Sequence, residues 1–299
     1  MCMEIKMKVL SLFDGISCGR LALERAGIPV ERYVAYEIDE NAIKVSKANW
    51  DDIEHCGDVT VADFSQYKGF DAIIGGFPCQ DLSINKRDRK GLEGKRSGLF
   101  WHLVRAIEEV KPKYFLVENN YKMPQKDQDI ITKTLGVEPI LIYSGKVSAQ
   151  SRYRLYWTNI PNVQQPEDLH IYLKDIVERS EVKEKDLTNF TKFNNKTYTN
   201  YDRPARIGTI GKGGQGERVY SIEGKSVTLT ANGGGRGAKG GLYLINGTVR
   251  KPTPIECERL QTLPDNYTAC LSDNERRKVI GNGWTVDVIA HILKGLKEA

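Results

Sequence analysis

A doubly wound α/β domain with a parallel sheet, carrying a smaller β-rich domain, is the fold that two features of the sequence predict. Short apolar runs alternate with helical patterns through the first 160 residues, and 13 of the 28 glycines then crowd into residues 208–247, which ends that rhythm and marks a second domain. Residues 8–13 form an apolar run that stops at Asp14 and Gly15, and residues 20–26 have helical character with Gly27 as the stop. The unit recurs as a strand at 33–37 with a helix at 40–49, a strand at 70–74 with a helix at 99–110, and a strand at 114–117 with a helix at 127–135. Such alternation covers a parallel sheet with helices and sets the ligand crevice at the carboxyl ends of its strands. The alternating charges of 178–186 read as a solvated connector. The expected boundaries are therefore 1–177 for the first domain, completed by 255–299, and 178–254 for the second. Within the second, 218–220, 226–230 and 242–245 read as strands, and their β-branched and aromatic residues set the region apart from a flexible glycine linker. From Pro254 helical patterns return and end in an amphipathic 285–296.

Composition narrows the class. Hydrophobic residues at 40% and charged residues at 28% of 299 exclude global disorder. The richest apolar stretch, around 72–77, falls far short of the ~18–20 residues of a membrane span, and the opening residues have no signal-like core, so a cytoplasmic chain without membrane contact is expected. Six scattered cysteines with no Cys-x-x-Cys, and four histidines without ligand spacing, argue against a disulfide framework or a metal site. A net charge of +5 permits a polyanionic partner without demanding one.

The first strand-to-helix turn, Phe13-Asp14-Gly15-Ile16-Ser17-Cys18-Gly19, lacks the Gly-x-Gly-x-x-Gly pattern that admits a pyrophosphate. Glu37, 22 residues after Gly15, and Asp58 are instead placed to meet the hydroxyls of an adenosyl ligand, and S-adenosyl-L-methionine fits because it carries no phosphate. The run 71–77 leads into Pro78-Cys79-Gln80, which delivers a thiol beside that crevice. Thiolates are favoured by nearby cations, and Lys86, Arg87, Arg89, Lys90, Lys95 and Arg96 come next along the chain. The next strand ends in Glu118-Asn119-Asn120, and Gln150-Ser151-Arg152-Tyr153-Arg154 leads into a strand at 155–158, where alternation sets Arg152 and Arg154 on one face. A thiol, a carboxyl and paired guanidiniums are the groups needed to add a nucleophile to a pyrimidine ring and hold the charge that results.

In order, the chain carries Leu12-Phe13-Asp14-Gly15, Gly76-Phe77-Pro78-Cys79-Gln80, Val117-Glu118-Asn119, Gln150-x-Arg152-x-Arg154, Glu256-Cys257-Glu258-Arg259-Leu260-Gln261 and Gly281-Asn282-Gly283. On these motifs it resembles the cytosine-C5 DNA methyltransferases over nearly its whole length. Its first half, with Arg89-Lys90-Gly91-Leu92 and Val147-Ser148-Ala149, is similar to the animal de novo enzymes, and Trp284 agrees. Residues 212–221 and 233–235 are similar to the target-recognition region of bacterial restriction-modification enzymes, so a prokaryotic or phage origin is expected. The resemblance implies a Rossmann-like S-adenosyl-L-methionine-dependent methyltransferase domain with a target-recognition domain, acting on double-stranded DNA. It implies no obligate protein partner, and leaves a cognate restriction endonuclease as a companion.

By the family's chemistry Cys79 attacks cytosine C6, Glu118 holds the ring N3 edge, Arg154 holds O2, and Arg152 orders Glu118 or Cys79. The cofactor positions that match are Phe13, Gly15, Ser17, Glu37, Ile38, Asp58, Val59, Phe77, Leu99, Asn282 and Trp284. The cytosine is flipped out of the duplex. Gln215 then fills the gap, Ser83 and Asn85 approach from the other groove, Arg218 reads guanine, and Thr228 and Gly235 contact backbone or base edges. Asn120 departs from the more common Glu-Asn-Val while leaving the carboxyl in place. Amino-methyltransferases require a Pro-Pro element that the chain lacks, and the transfer-RNA-directed branch is marked by a Cys-Phe-Thr element that is absent. A catalytically silent DNA-binding regulator is opposed by the intact Cys79, Glu118 and arginines.

Overall fold

The structure, a computed structural model, describes residues 6–78, 92, 94, 97–178, 190–192, 201–232 and 235–297. Two compact units divide the chain: one comprises Met1–Ile142, Tyr153–Gln165 and Ile289–Ala299, the other Tyr143–Arg152 and Pro166–Val288. Compactness thus draws divisions at 142, 152, 165 and 288, whereas the boundaries expected at 177 and 254 rest on composition and rhythm.

The first unit begins with β1 (Met7–Leu12), α1 (Cys18–Arg25), β2 (Val30–Tyr36), α2 (Glu40–Asn49) and β3 (Ile53–His55). It continues with β4 (Ala72–Gly75), α3 (Phe100–Val110), β5 (Tyr114–Asn120), α4 (Gln125–Leu135), β6 (Ile140–Tyr143) and β7 (Tyr153–Thr158). Its sheet runs in the order β3-β2-β1-β4-β5-β7-β6, parallel from β3 to β5, with β7 antiparallel to β5. The central strands β1, β4 and β5 are buried almost throughout, which is how a parallel strand covered on both faces reads. Phe100, Leu103, Val104, Ala106 and Val110 give α3 a buried stripe, which joins Leu10, Leu12, Val34, Ile73 and Val117 in one core. Asp39 caps α2 by accepting the Asn41 N–H at 3.0 Å. Strand order reverses between β1 and β4, the switch point where ligands bind in open α/β sheets.

Pairing brings the strand ends level there. Leu12 lies opposite Tyr36 and Gly75, and Gly75 opposite Val117. Phe13, Glu37 and Phe77, just beyond those positions, therefore leave the sheet at one edge, and Glu118 lies level with them within β5. The strand expected to stop at 117 extends to Asn120, because β7 pairs with it through Asn120.

The second unit contains α5 (Leu173–Ile176), β8 (Thr191–Lys192), β9 (Arg206–Thr209), β10 (Arg218–Ser221), β11 (Leu242–Ile245) and β12 (Thr248–Arg250). After these come α6 (Pro254–Leu260) and α7 (Asp273–Asn282), and the chain passes from the second unit to the first within α8 (Val286–Leu293). The five-stranded order is β12-β11-β10-β9-β8, around a small core of Ile210, Val219, Leu242 and Val249. Residues 226–230, expected as a strand, form no part of that sheet: Ser226 makes an isolated bridge with Gln150 instead. Among the described residues no helix is long and apolar enough to cross a membrane.

Candidate active site

The turn after β1 has an unusual backbone. Phe13, Gly15 and Ser17 have φ of 58°, 61° and 60°, three left-handed residues in five. Only glycine adopts this region without steric cost, so at Phe13 and Ser17 it must be held by surroundings. Asp14 supplies the hold, accepting hydroxyl hydrogen bonds from Ser11 at 2.6 Å, Ser17 at 2.5 Å and Tyr33 at 2.7 Å. Burial pushes the Asp14 carboxyl above its ordinary 3.8, while the three hydroxyls pull it down.

Glu37 closes the turn from β2. Its Oε2 accepts the Gly15 N–H and its Oε1 the N–H groups of Ile38 and Asp39, each at 2.8 Å. Burial raises this carboxyl above 4.5, against the lowering effect of those three donors. Ile38 beside it is 68% exposed. Asp58 is exposed and accepts the Thr60 N–H at 2.8 Å, a bond that lowers its pKa, and Val59 after it is buried. Arg105 of α3 donates to the carbonyls of Val59 at 3.3 Å and Ala62 at 3.0 Å, which fixes this turn on the unit. Phe77 is buried with its ring 5.2 Å from that of Phe100, and Leu99 is half-buried just before α3.

At the carboxyl end of β5, Glu118 and Arg154 form an ion pair at 2.9 Å. Register explains it: Asn120 lies opposite Arg154 and Glu118 opposite Tyr156, so the two charges are diagonal neighbours on one face of the ladder. Arg154 also donates from Nη1 to the Tyr153 carbonyl at 2.8 Å. Asn119 points to the other face, and its amide donates to the Phe77 carbonyl at 3.0 Å. That bond ties β5 to the chain just ahead of Pro78. Cys79, Ser83 and Asn85 lie outside the described residues.

The remaining positions fall in the second unit. β7 begins at Tyr153, so Arg152 precedes the strand that carries Arg154; its guanidinium donates to the carbonyls of Leu229 at 3.1 Å and Gly283 at 3.0 Å. The Gly283 carbonyl also accepts from Gln261 Nε2 at 2.9 Å, and Thr285 donates to Gln261 Oε1 at 2.8 Å. Asn282, exposed at the end of α7, and the half-buried Trp284 flank this carbonyl. Gln150 donates to Gln261 Oε1 and to the Leu260 carbonyl, both at 3.0 Å, and accepts the Leu229 N–H at 2.8 Å. Gln215 and Arg218 are exposed at the entry to β10, and Gly235 is exposed with φ 85°. Their loops meet where the Gly237 N–H donates to the Gly216 carbonyl at 2.6 Å. Thr228 is half-buried and donates to the Ser151 carbonyl at 2.5 Å.

Sequence reasoning missed Asn119 as a tie, since its partner lies 42 residues away with no local signal. It also missed the buried bidentate pair of Arg250 with Glu256, at 2.7 Å for each arm.

Comparison with known proteins agrees with this layout. The family described as C-5 cytosine-specific DNA methylase matches residues 7–298. The type II methyltransferase M.HhaI of Haemophilus parahaemolyticus is 33% identical, over 96% of this chain and 93% of its own. M1.ScrFI of Lactococcus lactis subsp. cremoris is 28% identical, over 98% and 78%. Among solved structures, the S. pombe Dnmt2 methyltransferase superposes with TM-score 0.69 at 16% identity, over 97% of this chain and 99% of that one, a likeness of fold. The family match and the similarity to M.HhaI both run along almost the full length, and the chain belongs to the C-5 cytosine-specific DNA methylase family as a DNA cytosine-C5 methyltransferase.

Proposed function

We propose that the chain methylates cytosine C5 at one short site in double-stranded DNA, with Cys79 as nucleophile, as a prokaryotic or phage modification enzyme of the restriction-modification kind. The observation that carries this reading is the Glu118–Arg154 pair at the same sheet edge as the Phe77 carbonyl that Asn119 holds. Cys79 comes two residues after Phe77 in the sequence, so the carboxyl and the guanidinium stand at the sheet edge that the chain leaves just before Cys79. Residues 1–177 with 255–299 are assigned to catalysis and 178–254 to target recognition. The cytoplasm, where DNA lies, is the expected compartment, and a cognate restriction endonuclease is the companion in the cell.

The family is generally S-adenosyl-L-methionine-dependent. The residues present fit that group: Glu37 accepts three N–H groups of the roughly four a carboxylate can take, which leaves capacity for a ribose hydroxyl. Phe13, Gly15, Ser17, Ile38, Asp58, Val59, Phe77 and Leu99 are assigned to the same cofactor, and by the family resemblance so are Asn282 and Trp284. When bound, the cofactor supplies a methyl group on a sulfonium.

The Cys79 thiolate adds to C6 of the flipped cytosine, and the electron pair displaced toward C5 makes that carbon nucleophilic. Glu118 holds the N3 edge while Arg154 fixes Glu118 and faces O2. Arg152, held by the Leu229 and Gly283 carbonyls, orders Glu118 or Cys79. Loss of the C5 proton to solvent then expels Cys79 as thiolate. Flipping costs a few kcal/mol, which Gln215 offsets by filling the gap with Ser83 and Asn85 opposite. Arg218 is matched to guanine O6 and N7, with Thr228 and Gly235 beside it.

Cytosine-conversion sequencing of DNA from a methylation-deficient bacterial host tests this, with the chain expressed beside its Cys79→Ser variant. Marks at one short motif, absent in the variant, are expected. Their absence in both samples despite folded protein would move the reading to an RNA substrate or a silent binding module.

A further inference from the structure

Lys225 is fully buried, at 0% exposure. Its ammonium donates to the carbonyls of Gly145 at 2.5 Å, Ile171 at 2.5 Å and Ser148 at 3.1 Å, and lies 5.0 Å from the centroid of the Tyr172 ring. An ammonium has three protons, and three carbonyls receive them. Burial lowers its pKa, while Asp168, Asp202 and Asp175 oppose that shift and Lys146 adds to it. Asp168 is itself paired with Lys146 at 2.9 Å. A methionine of similar length would be far easier to bury, so the charge answers to the carbonyls rather than to the packing.

Residues 226–229, immediately after Lys225, are fastened along the segment that leads to Arg152. The Ser226 N–H donates to the Ala149 carbonyl at 2.7 Å, and the Ser151 N–H to the Ser226 carbonyl at 2.9 Å. Gln150 accepts the Leu229 N–H, and the Leu229 carbonyl accepts Arg152 Nη1 at 3.1 Å. Gly145 and Ser148 begin this segment and Arg152 ends it. One cation therefore ties its start to the strip that receives its terminal guanidinium.

We infer that Lys225 is a positioning residue for methyl transfer: by bridging the carbonyls of Gly145, Ser148 and Ile171 it fixes residues 145–152 and so sets Arg152. The inference rests on the proposed function, in which Arg152 serves the reaction. Misplacement of such a support by about 1 Å costs on the order of 10²-fold in rate.

The full chain is compared with Lys225→Met, Lys225→Ala and Arg152→Ala in single-turnover tritium transfer from S-adenosyl-L-methionine to unmodified bacterial genomic DNA, alongside equilibrium titration of the cofactor. Lys225→Met is expected to transfer roughly 10²-fold more slowly with unchanged cofactor affinity, and n-propylammonium is expected to restore transfer to Lys225→Ala by entering the vacated carbonyl cage. A wild-type rate in Lys225→Met while Arg152→Ala is slowed overturns the inference alone. Equal losses of rate and cofactor affinity in Lys225→Met mark general loosening and also overturn it. A wild-type rate in Arg152→Ala overturns the role of Arg152 on which it rests. If Lys225→Met does not fold, the alanine variant decides: failure of the amine to restore transfer overturns the inference.

Discussion

Removing the guanidinium of Arg154 takes from Glu118, 8% exposed, its 2.9 Å ion-pair partner. Breaking a dry pair costs ~3–5 kcal/mol; with the side chains 15% and 11% accessible, Arg154→Ala is expected to lose about 2–3 kcal/mol in urea denaturation. Arg154→Lys keeps the charge but not the fork, and an undiminished transfer rate in it would count against a geometric role. The Arg250–Glu256 pair is drier, at 5% and 1%, and bidentate, so Arg250→Ala is expected to cost about 3–5 kcal/mol, read from the same urea curves. Asp14 carries a pH signature. Its carboxyl is raised above 3.8 by burial, so the folded chain keeps a proton that the unfolded chain has lost, and stability falls as pH rises through that window. Asp14→Asn cannot ionise. Its stability relative to wild type should therefore climb as pH rises from about 4, and parallel urea midpoints from that pH upward would refute this.

Among the elements, α7 packs closely on the backbone of residues 230–231. A Cβ on Gly281 would lie 2.5 Å from the Thr230 carbonyl carbon and 2.7 Å from the Ala231 nitrogen. Alanine there gains ~1 kcal/mol in helix propensity, but the backbone it meets must move, at about 1–3 kcal/mol or more. Gly281→Ala is therefore expected to destabilise the fold, and a raised melting temperature would disprove the close approach. In the first unit β1, β2, β4, β5, β7 and α1 to α4 were legible because their apolar runs and stops are local, whereas β3 and β6, three and four residues long and only partly buried, were not read. The role of Asn119 was not, because it depends on a carbonyl brought in by β4. Alternation was expected to relate Arg152 to Arg154, yet it governs only residues inside a strand, and β7 starts between them. Gln150 and Gln261 were visible as motif residues, whereas their bond to one another spans 111 positions. Ser226 to Thr230 looked like a strand for its β-branched residues, and tertiary pairing with 149–151 claimed its hydrogen bonds instead.

For the molecule as a whole, a net charge of +5 and the exposure of Arg218 bear on the proposed hold on DNA. Phosphate contacts set the salt dependence of binding, at a slope of about −0.9 per contact, while base contacts set sequence preference. Arg218→Ala is expected to cost ~1–3 kcal/mol at one base pair and leave the salt slope unchanged. A slope shallower by about one unit, with uniform loss across sequences, would place Arg218 on a phosphate instead. The division into two units also bears on synthesis. The chain passes between them at 142, 152, 165 and 288, so the first unit takes in residues 289–299, which are made only after the whole of the second. The first unit therefore cannot close on itself before the second has been synthesised. A stalled nascent chain ending at residue 165 should remain protease-sensitive, and one that exposes all of residues 1–299 outside the ribosome should be resistant.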